Sequence, residues 1–90
     1  MKLKAIRFTA HWCQPCKNLG PVWDKLIPDF PDVEFVVIDI DKEPELASQY
    51  NIGAIPTILF VRDNAIVGSL VGLHKESSIR DAIEKLTKVV

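Results

Sequence analysis

The only two cysteines of this 90-residue chain stand at positions 13 and 16, separated by two residues. Two thiols at this spacing can form a structural disulfide, supply half of a metal site, or cycle between dithiol and disulfide. A disulfide between Cys13 and Cys16 would close a very short loop. It would therefore stabilise the fold by less than the roughly 3 kcal/mol expected for a 15-residue loop.

A structural metal site is the second possibility for this cysteine pair. Zinc usually takes four ligands, and the only other soft candidates in the sequence are His11 and His74. A second Cys-x-x-Cys pair, which would complete a common zinc-binding pattern, is missing. We therefore favour redox chemistry, and we expect no metal and no separate cofactor beside a redox-active Cys13–Cys16 disulfide.

The residues around the pair favour a redox centre at the start of a helix. Pro15 suits a first helical turn, because its missing N–H would have no partner there. If the helix begins near Cys13, the unpaired N–H groups and the helix dipole favour a thiolate at this residue. We expect Cys13 to be the nucleophile, and Cys16, one turn further on, to be the resolving thiol.

The composition predicts one small domain over residues 1–90. The chain is 48% hydrophobic and 26% charged, and its net charge is -1, so nothing suggests nucleic acid or an anionic membrane as a partner. No apolar run approaches the roughly 18 residues of a membrane span, and Lys4 and Arg7 interrupt the N-terminal apolar residues. We expect a cytoplasmic protein, a setting in which close cysteine pairs are seldom structural.

Hydrophobic periodicity predicts the element order β-α-β-α-β-β-α. We expect strands at residues 3–10, 34–40, 58–61 and 66–71, and helices near residues 16–30, 44–50 and 79–86. The apolar run at residues 34–40 is typical of a strand covered on both faces. Asp41 is the expected cap of the second helix. The order predicts an α/β fold with a mixed four-stranded sheet flanked by helices, in which the β-α-β half is parallel.

Three separated motifs resemble the thioredoxin family. Residues 10–17, AHWCQPCK, resemble its Trp-Cys-x-Pro-Cys-Lys active site; residues 51–57, NIGAIPT, resemble its Ile-Pro-Thr loop; and residues 71–72 resemble its Val-Gly step before the last helix. They follow the family order and cover nearly the whole chain. The resemblance implies a minimal thioredoxin fold that reduces protein disulfides, recharged by a thioredoxin-reductase-type or other reductant.

The resemblance also implies a site for the substrate. Ile55–Pro56 would be a cis peptide bond facing the cysteines, and Trp12, Ile55, Pro56 and Gly72 would line a shallow apolar groove. An extended substrate segment would pair there with the backbone beside Pro56. Ordinary packing for Trp12, and a strand-ending role for Gly72, are the alternatives. Lys17 is either solvated or adds slightly to thiolate stability.

Arg7 and Val37 depart from the family pattern. Arg7 stands where the family usually has a buried Asp that accepts a proton from the resolving thiol, and arginine cannot accept one. Val37 stands where the family often has a Lys. Strand parity lets Arg7 either snorkel to the sheet edge, which we favour, or approach the sulfurs. Within about 4–6 Å, Arg7 would lower the pKa of Cys13 by about one to three units, each worth at most about 30 mV.

Two more residues of the cysteine motif can affect the redox potential. Gln14 stands where the family commonly has Gly, so it restricts the backbone between the cysteines. Pro15 orients the first helical turn. With Arg7 and Lys17, these residues are the candidates for tuning the pKa and the potential.

The position of the motifs also predicts an exposed strand. The matched region starts at what resembles the family's second strand, so residues 34–40 are expected at a sheet edge. We expect a monomer, with dimerisation through that edge as an alternative. A glutaredoxin-like or weakly oxidising exchanger and a non-enzymatic binding subunit stay open as functions. Against glutaredoxin, Thr57 follows Pro56, whereas glutaredoxins usually have Thr-Val-Pro and a Gly pair.

Overall fold

The computed structural model describes residues 2–88 and contains a mixed sheet with helices on both faces. The strands are β1 (Lys4–Thr9), β2 (Glu34–Asp39), β3 (Thr57–Arg62) and β4 (Ala65–Val71). The helices are α1 (Gln14–Leu26), α2 (Pro44–Gln49) and α3 (Glu76–Thr87), and a 3-10 turn at Ile27–Asp29 follows α1. The sheet order is β2-β1-β3-β4. The predicted element order and the four-stranded mixed sheet are confirmed.

β1 is one of the two inner strands of the sheet and leads directly to the cysteines. It pairs in parallel with β2 and antiparallel with β3. Its side chains alternate between two cores, as a strand requires: Ala5 packs with α1 and α3, and Ile6 and Phe8 pack on the side of α2. Arg7 has the parity of Ala5, so its side chain enters the space beneath α1.

The larger core fixes α1 against the sheet. Its fully buried members include Leu19, Trp23 and Leu26 of α1, Ile58 and Phe60 of β3, and Ile79 and Ile83 of α3. These helical residues recur at three- and four-residue steps, so each helix buries one stripe. The packing holds the N-terminus of α1 at the end of β1, where the disulfide lies.

The β3–β4 hairpin turns at Asp63 and Asn64. Asp63 and Asn64 both have positive φ values, 55° and 65°. A two-residue hairpin turn of this kind requires left-handed residues, which Asp and Asn tolerate better than other side chains do. β4 ends at Val71, and Gly72 follows with φ 88°.

One expectation about the segment after β2 is wrong. Asp41 does not cap α2; the N-cap residue is Glu43, because the Asp39 carboxylate accepts the N–H groups of Asp41 and Lys42 and folds a turn ahead of the helix. β2 packs on both faces of the sheet: Phe35 lies against the core of α1 and α3, and Val36 and Ile38 lie on the side of α2. It lies at the sheet edge, as the motif order predicted, and Val37 is 47% exposed.

Over residues 2–88, no helix is long and apolar enough to cross a membrane.

Candidate active site

Cys13 and Cys16 form a disulfide at the N-terminus of α1. Cys13 is the N-cap residue, with extended backbone angles, and its Sγ accepts the backbone N–H of Cys16 at 3.3 Å. The N–H of Cys13 itself donates to the carbonyl of Ala10 at 3.2 Å. In the reduced protein, a thiolate at Cys13 would be stabilised by the Cys16 N–H and by the positive end of the helix dipole.

The two sulfurs differ in access to solvent. Cys13 is 6% exposed, whereas Cys16 is completely buried. Both belong to a small cluster with Ala10, against which Ile40 and Ile55 pack. Because Cys16 has no exposed surface, Cys13 is the cysteine that an external disulfide could reach.

The Pro56 loop lies against this cluster. The Ile55–Pro56 peptide bond is cis, and Ile55 contacts the cysteine cluster. The N–H of Gly72 donates to the carbonyl of Pro56 at 2.8 Å, so the end of β4 is tied to the loop. The φ of Gly72, 88°, is in the region that favours glycine, which explains the residue type at this position. Three of the four predicted groove residues are therefore brought together.

Trp12, the fourth predicted groove residue, lies at the surface. It is 60% exposed, and its Nε1 donates to Oδ2 of Asp41 at 2.8 Å. Nδ1 of His11 lies 3.7 Å from the same oxygen. The indole is therefore held beside Cys13 by the loop after β2, and ordinary core packing of Trp12 is excluded. Asp41 is a residue that the sequence analysis missed, because it read this carboxylate as a helix cap.

Exposed apolar side chains extend the surface around Gly72. Val71 is 61% exposed and Leu73 is 55% exposed. An open groove of about 350 Å³ continues from Val71 past Ala54, Gly53 and Tyr50. Neither cysteine lines this groove, so it lies beside the disulfide and not over it. Val71 belongs to the Val-Gly motif, whereas Leu73 lies outside every predicted motif.

Arg7 lies beneath the first turn of α1. Its Nη1 donates to the carbonyl of Cys16 at 3.5 Å, and its guanidinium carbon lies 5.4 Å from the centre of the Trp23 ring. Burial lowers the pKa of Arg7, and the charge of Asp24 opposes this effect. The favoured expectation, snorkelling to the sheet edge, is wrong, because the Trp23 ring and the Cys16 carbonyl offer partners under the helix. Val37, the second departure from the family pattern, is the register partner of Arg7 on β2.

The remaining motif residues lie on the outer side of α1. Gln14, Pro15 and Lys17 are exposed. The amide of Gln14 donates to Oδ1 of Asn18 at 3.0 Å, so this side chain runs along the helix surface. Pro15 lies in the first turn, as expected. Across the described part of the chain, no three His, Cys, Asp or Glu side chains are grouped to hold a metal ion.

Comparison with known proteins agrees with this geometry. Residues 1–85 match the sequence model of the thioredoxin family. The chain is 37% identical to thioredoxin H5 of Oryza sativa subsp. japonica over 87 residues, which are 97% of this chain and 64% of that protein. It is 40% identical to thioredoxin of Chlamydia trachomatis over 83 residues, which are 92% of this chain and 81% of that protein.

Solved structures give the same result. A crystal structure of a poplar thioredoxin h superposes with a TM-score of 0.92 at 32% identity, covering 99% of this chain and 79% of that one. The chain spans less than two thirds of the length of several curated relatives, 64% of the rice protein and 60% of a thioredoxin H-type from Picea mariana. The family match, the identities and the superposition together show that the chain belongs to the thioredoxin family.

Proposed function

We propose that this protein is a thiol-disulfide oxidoreductase that reduces disulfides of protein substrates, with Cys13 as the nucleophile and Cys16 as the resolving thiol. The observation that carries the proposal is the arrangement of the two sulfurs: Cys13 reaches the surface at the N-cap of α1, and Cys16 is completely buried and bonded to it. Membership of the thioredoxin family supports the same chemistry.

The proposed cycle begins with the reduced protein. The Cys13 thiolate attacks a substrate disulfide, forms a mixed disulfide and releases one substrate thiolate, which takes a proton from solvent. Cys16 then loses its proton and attacks Sγ of Cys13. The intramolecular disulfide forms and the second substrate thiol leaves, so two electrons pass to the substrate. A thioredoxin-reductase-type or other dithiol reductant returns the protein to its reduced form.

The substrate would bind as an extended segment beside the Pro56 loop. The exposed indole of Trp12 and the side chain of Ile55 offer apolar contacts, and the backbone beside Pro56 offers strand-like pairing. Gly72 would keep this side of the groove free of a side chain. The Ile55 contact with the cysteine cluster supports the view that a segment bound here presents its disulfide to Cys13.

Reduction of insulin in the presence of dithiothreitol tests the function. The wild-type protein is expected to accelerate precipitation of the insulin chains, and Cys13→Ser is expected to abolish the acceleration. Cys16→Ser should instead accumulate a mixed disulfide with the substrate, detectable by intact mass spectrometry. Wild-type protein without any effect, or Cys13→Ser as fast as wild type, would exclude the enzyme and favour a non-enzymatic binding subunit.

A weakly oxidising exchanger is the second candidate, and Arg7 is the observation that favours it. A cation beneath Cys16 favours thiolate over thiol, which stabilises the reduced form and raises the potential. Equilibration with glutathione buffers distinguishes the two candidates. A potential close to that of thioredoxin, about -270 mV, supports the reductant, whereas one near the glutaredoxin range of about -200 to -230 mV supports the exchanger.

We propose that the protein works as a monomeric electron carrier in the cytoplasm, without nucleic-acid or membrane partners. Its net charge of -1 gives no electrostatic basis for either partner. In the full-length antiparallel pairing of two β2 strands, Glu34 of one copy faces Asp39 of the other at both ends, which disfavours an edge dimer. Sedimentation velocity at micromolar concentration should give a monomer. A dimer that Val37→Lys dissociates would contradict this proposal.

A further inference from the structure

Arg7 is a partly buried cation with few partners. Its hydrogen bond to the Cys16 carbonyl is long, at 3.5 Å, and its buried Nε has no hydrogen-bond partner in the structure. Among residues 2–88, no carboxylate forms an ion pair with it. The charge of Asp24 acts on Arg7 without forming an ion pair, so it offsets the loss of water around the guanidinium only in part.

Reduction of the disulfide creates a candidate anion on the residue whose backbone this cation contacts. In the oxidised form the two sulfurs are bonded to each other and carry no charge. In the reduced form Cys16 becomes a buried thiol, and it is the residue whose carbonyl oxygen Arg7 contacts. Burial in apolar surroundings disfavours a thiolate, and a nearby cation favours it.

We propose that Arg7 is a positioning residue for the resolving step: its guanidinium stabilises the Cys16 thiolate, so that Cys16 releases its proton to solvent without a carboxylate base. The inference rests on the proposed disulfide-exchange function and assigns the chemistry of its second half. The Asp that the family usually has at this position can accept a proton, and Arg7 cannot. Arg7 instead favours the thiolate that remains after Cys16 has lost its proton.

The proposed resolving step begins with proton loss from Cys16. The Cys16 thiol gives its proton to water, and the thiolate forms beside the guanidinium. This thiolate attacks Sγ of Cys13 in the mixed disulfide, so the Cys13–Cys16 bond forms and the bond from Cys13 to the substrate sulfur breaks. The substrate sulfur leaves as a thiolate and takes a proton from solvent. The protein dithiol is oxidised, and the substrate disulfide is reduced.

The pKa of Cys16 alone gives the direct test. In the Cys13→Ser background, Cys16 is the only thiol, and its ionisation is followed by thiolate absorbance in the ultraviolet. Adding Arg7→Met should raise this pKa by about one unit, the low end for loss of an opposite charge within about 4–6 Å, because Arg7 is partly solvated. The Met side chain keeps an apolar stem over Trp23, so the fold should persist.

Lys25→Met in the same background is the matched control. Lys25 is an exposed residue of α1, and its substitution changes the formal charge by the same amount. It should leave the Cys16 pKa unchanged, whereas Arg7→Lys, which keeps a cation, should restore part of the wild-type value. If Arg7→Met does not fold by circular dichroism, the comparison of Arg7→Lys with Arg7→Gln replaces it.

A kinetic experiment on the protein with both cysteines tests the step itself. The probe is an aromatic disulfide whose first chromophoric thiolate is released by Cys13 and whose second is released by Cys16. Arg7→Met should slow the second phase up to about tenfold at neutral pH, and the two proteins should converge at high pH, as expected for a change of one pKa unit.

Two results would overturn the inference. One is an unchanged Cys16 pKa and an unchanged second phase in folded Arg7→Met. The other is an equal change in Lys25→Met, which would indicate an effect of net charge alone. These results differ from failure of the proposed function, in which the wild-type protein itself would release no chromophore by disulfide exchange.

Discussion

The two tryptophans of the chain lie on either side of the disulfide in opposite environments. Trp12, before α1, is 60% exposed and is held by one hydrogen bond to Asp41. Trp23, within α1, is 1% exposed and packs edge-on against Phe35, with ring centres 5.2 Å apart. The same residue type is thus exposed beside Cys13 in one place and holds the helix on the sheet in the other.

This contrast extends to the neighbours of each tryptophan. We call Trp12, Cys13, Ile55, Pro56 and Gly72 the mouth of the site, and Arg7, Cys16 and Trp23 its floor. Every residue of the mouth follows the family motifs. Two of the departures, Arg7 and Val37, are register neighbours on β1 and β2, whereas the third, Gln14, is exposed between the cysteines. The proposed substrate surface therefore keeps the family residues, and the main difference lies beneath it at Arg7.

The largest expected difference between mouth and floor is in stability. Trp23→Ala should lower the free energy of unfolding by about 3–5 kcal/mol, because it leaves a cavity between α1 and the sheet. Trp12→Ala removes an exposed side chain and should change it by less than about 1 kcal/mol. Urea unfolding of both oxidised variants measures the two values. Similar losses would show that Trp12 is also a packing residue, and the contrast would fail.

A smaller effect is expected at Gly72, where the mouth depends on backbone conformation. A Cβ at this position would meet no atom within 4 Å, so Gly72→Ala tests its φ of 88° and not its packing. The substitution should cost about 1–2 kcal/mol of unfolding free energy, the usual penalty for a left-handed residue with a side chain. Gly53→Ala, also without close contacts, is the control and should be nearly neutral. Equal effects would contradict a conformational role for Gly72.

The helix start and the cysteine pair could be predicted because their signals are local, whereas Ile55 and Pro56 were expected at the site only from the family resemblance. Pro15 marks the start of α1, and the spacing of the cysteines places both sulfurs at one end of this helix. Gly72 follows a strand that the hydrophobic periodicity of residues 66–71 identifies. The partner of Trp12 could not be predicted in this way. The bond to Asp41 spans 29 positions and depends on the turn that the Asp39 carboxylate folds.

The floor is harder to predict, because the position of a residue in a strand shows which face of the sheet its side chain lies on and not which groups the side chain contacts there. Parity puts Arg7 on the side of Ala5, but the direction of its side chain depends on the Trp23 ring and the Cys16 carbonyl, which belong to a different element. Val37 shows a related limit. The apolar run at residues 34–40 predicts a buried strand, but it does not show that Val37, at the sheet edge, is 47% exposed.

The smallest expected effect is at Asp41, where the mouth is fixed by one hydrogen bond at the surface. Asp41→Asn keeps an acceptor but removes the charge, so the bond from Trp12 Nε1 should weaken by less than about 1 kcal/mol. The indole N–H should then exchange with solvent a few-fold faster and shift in the proton NMR spectrum. Asp32→Asn, at an exposed position outside the site, should leave this resonance unchanged. If Asp41→Asn also leaves it unchanged, the indole is fixed by its other contacts. The mouth would then resemble the floor in being held by packing and not by a polar anchor.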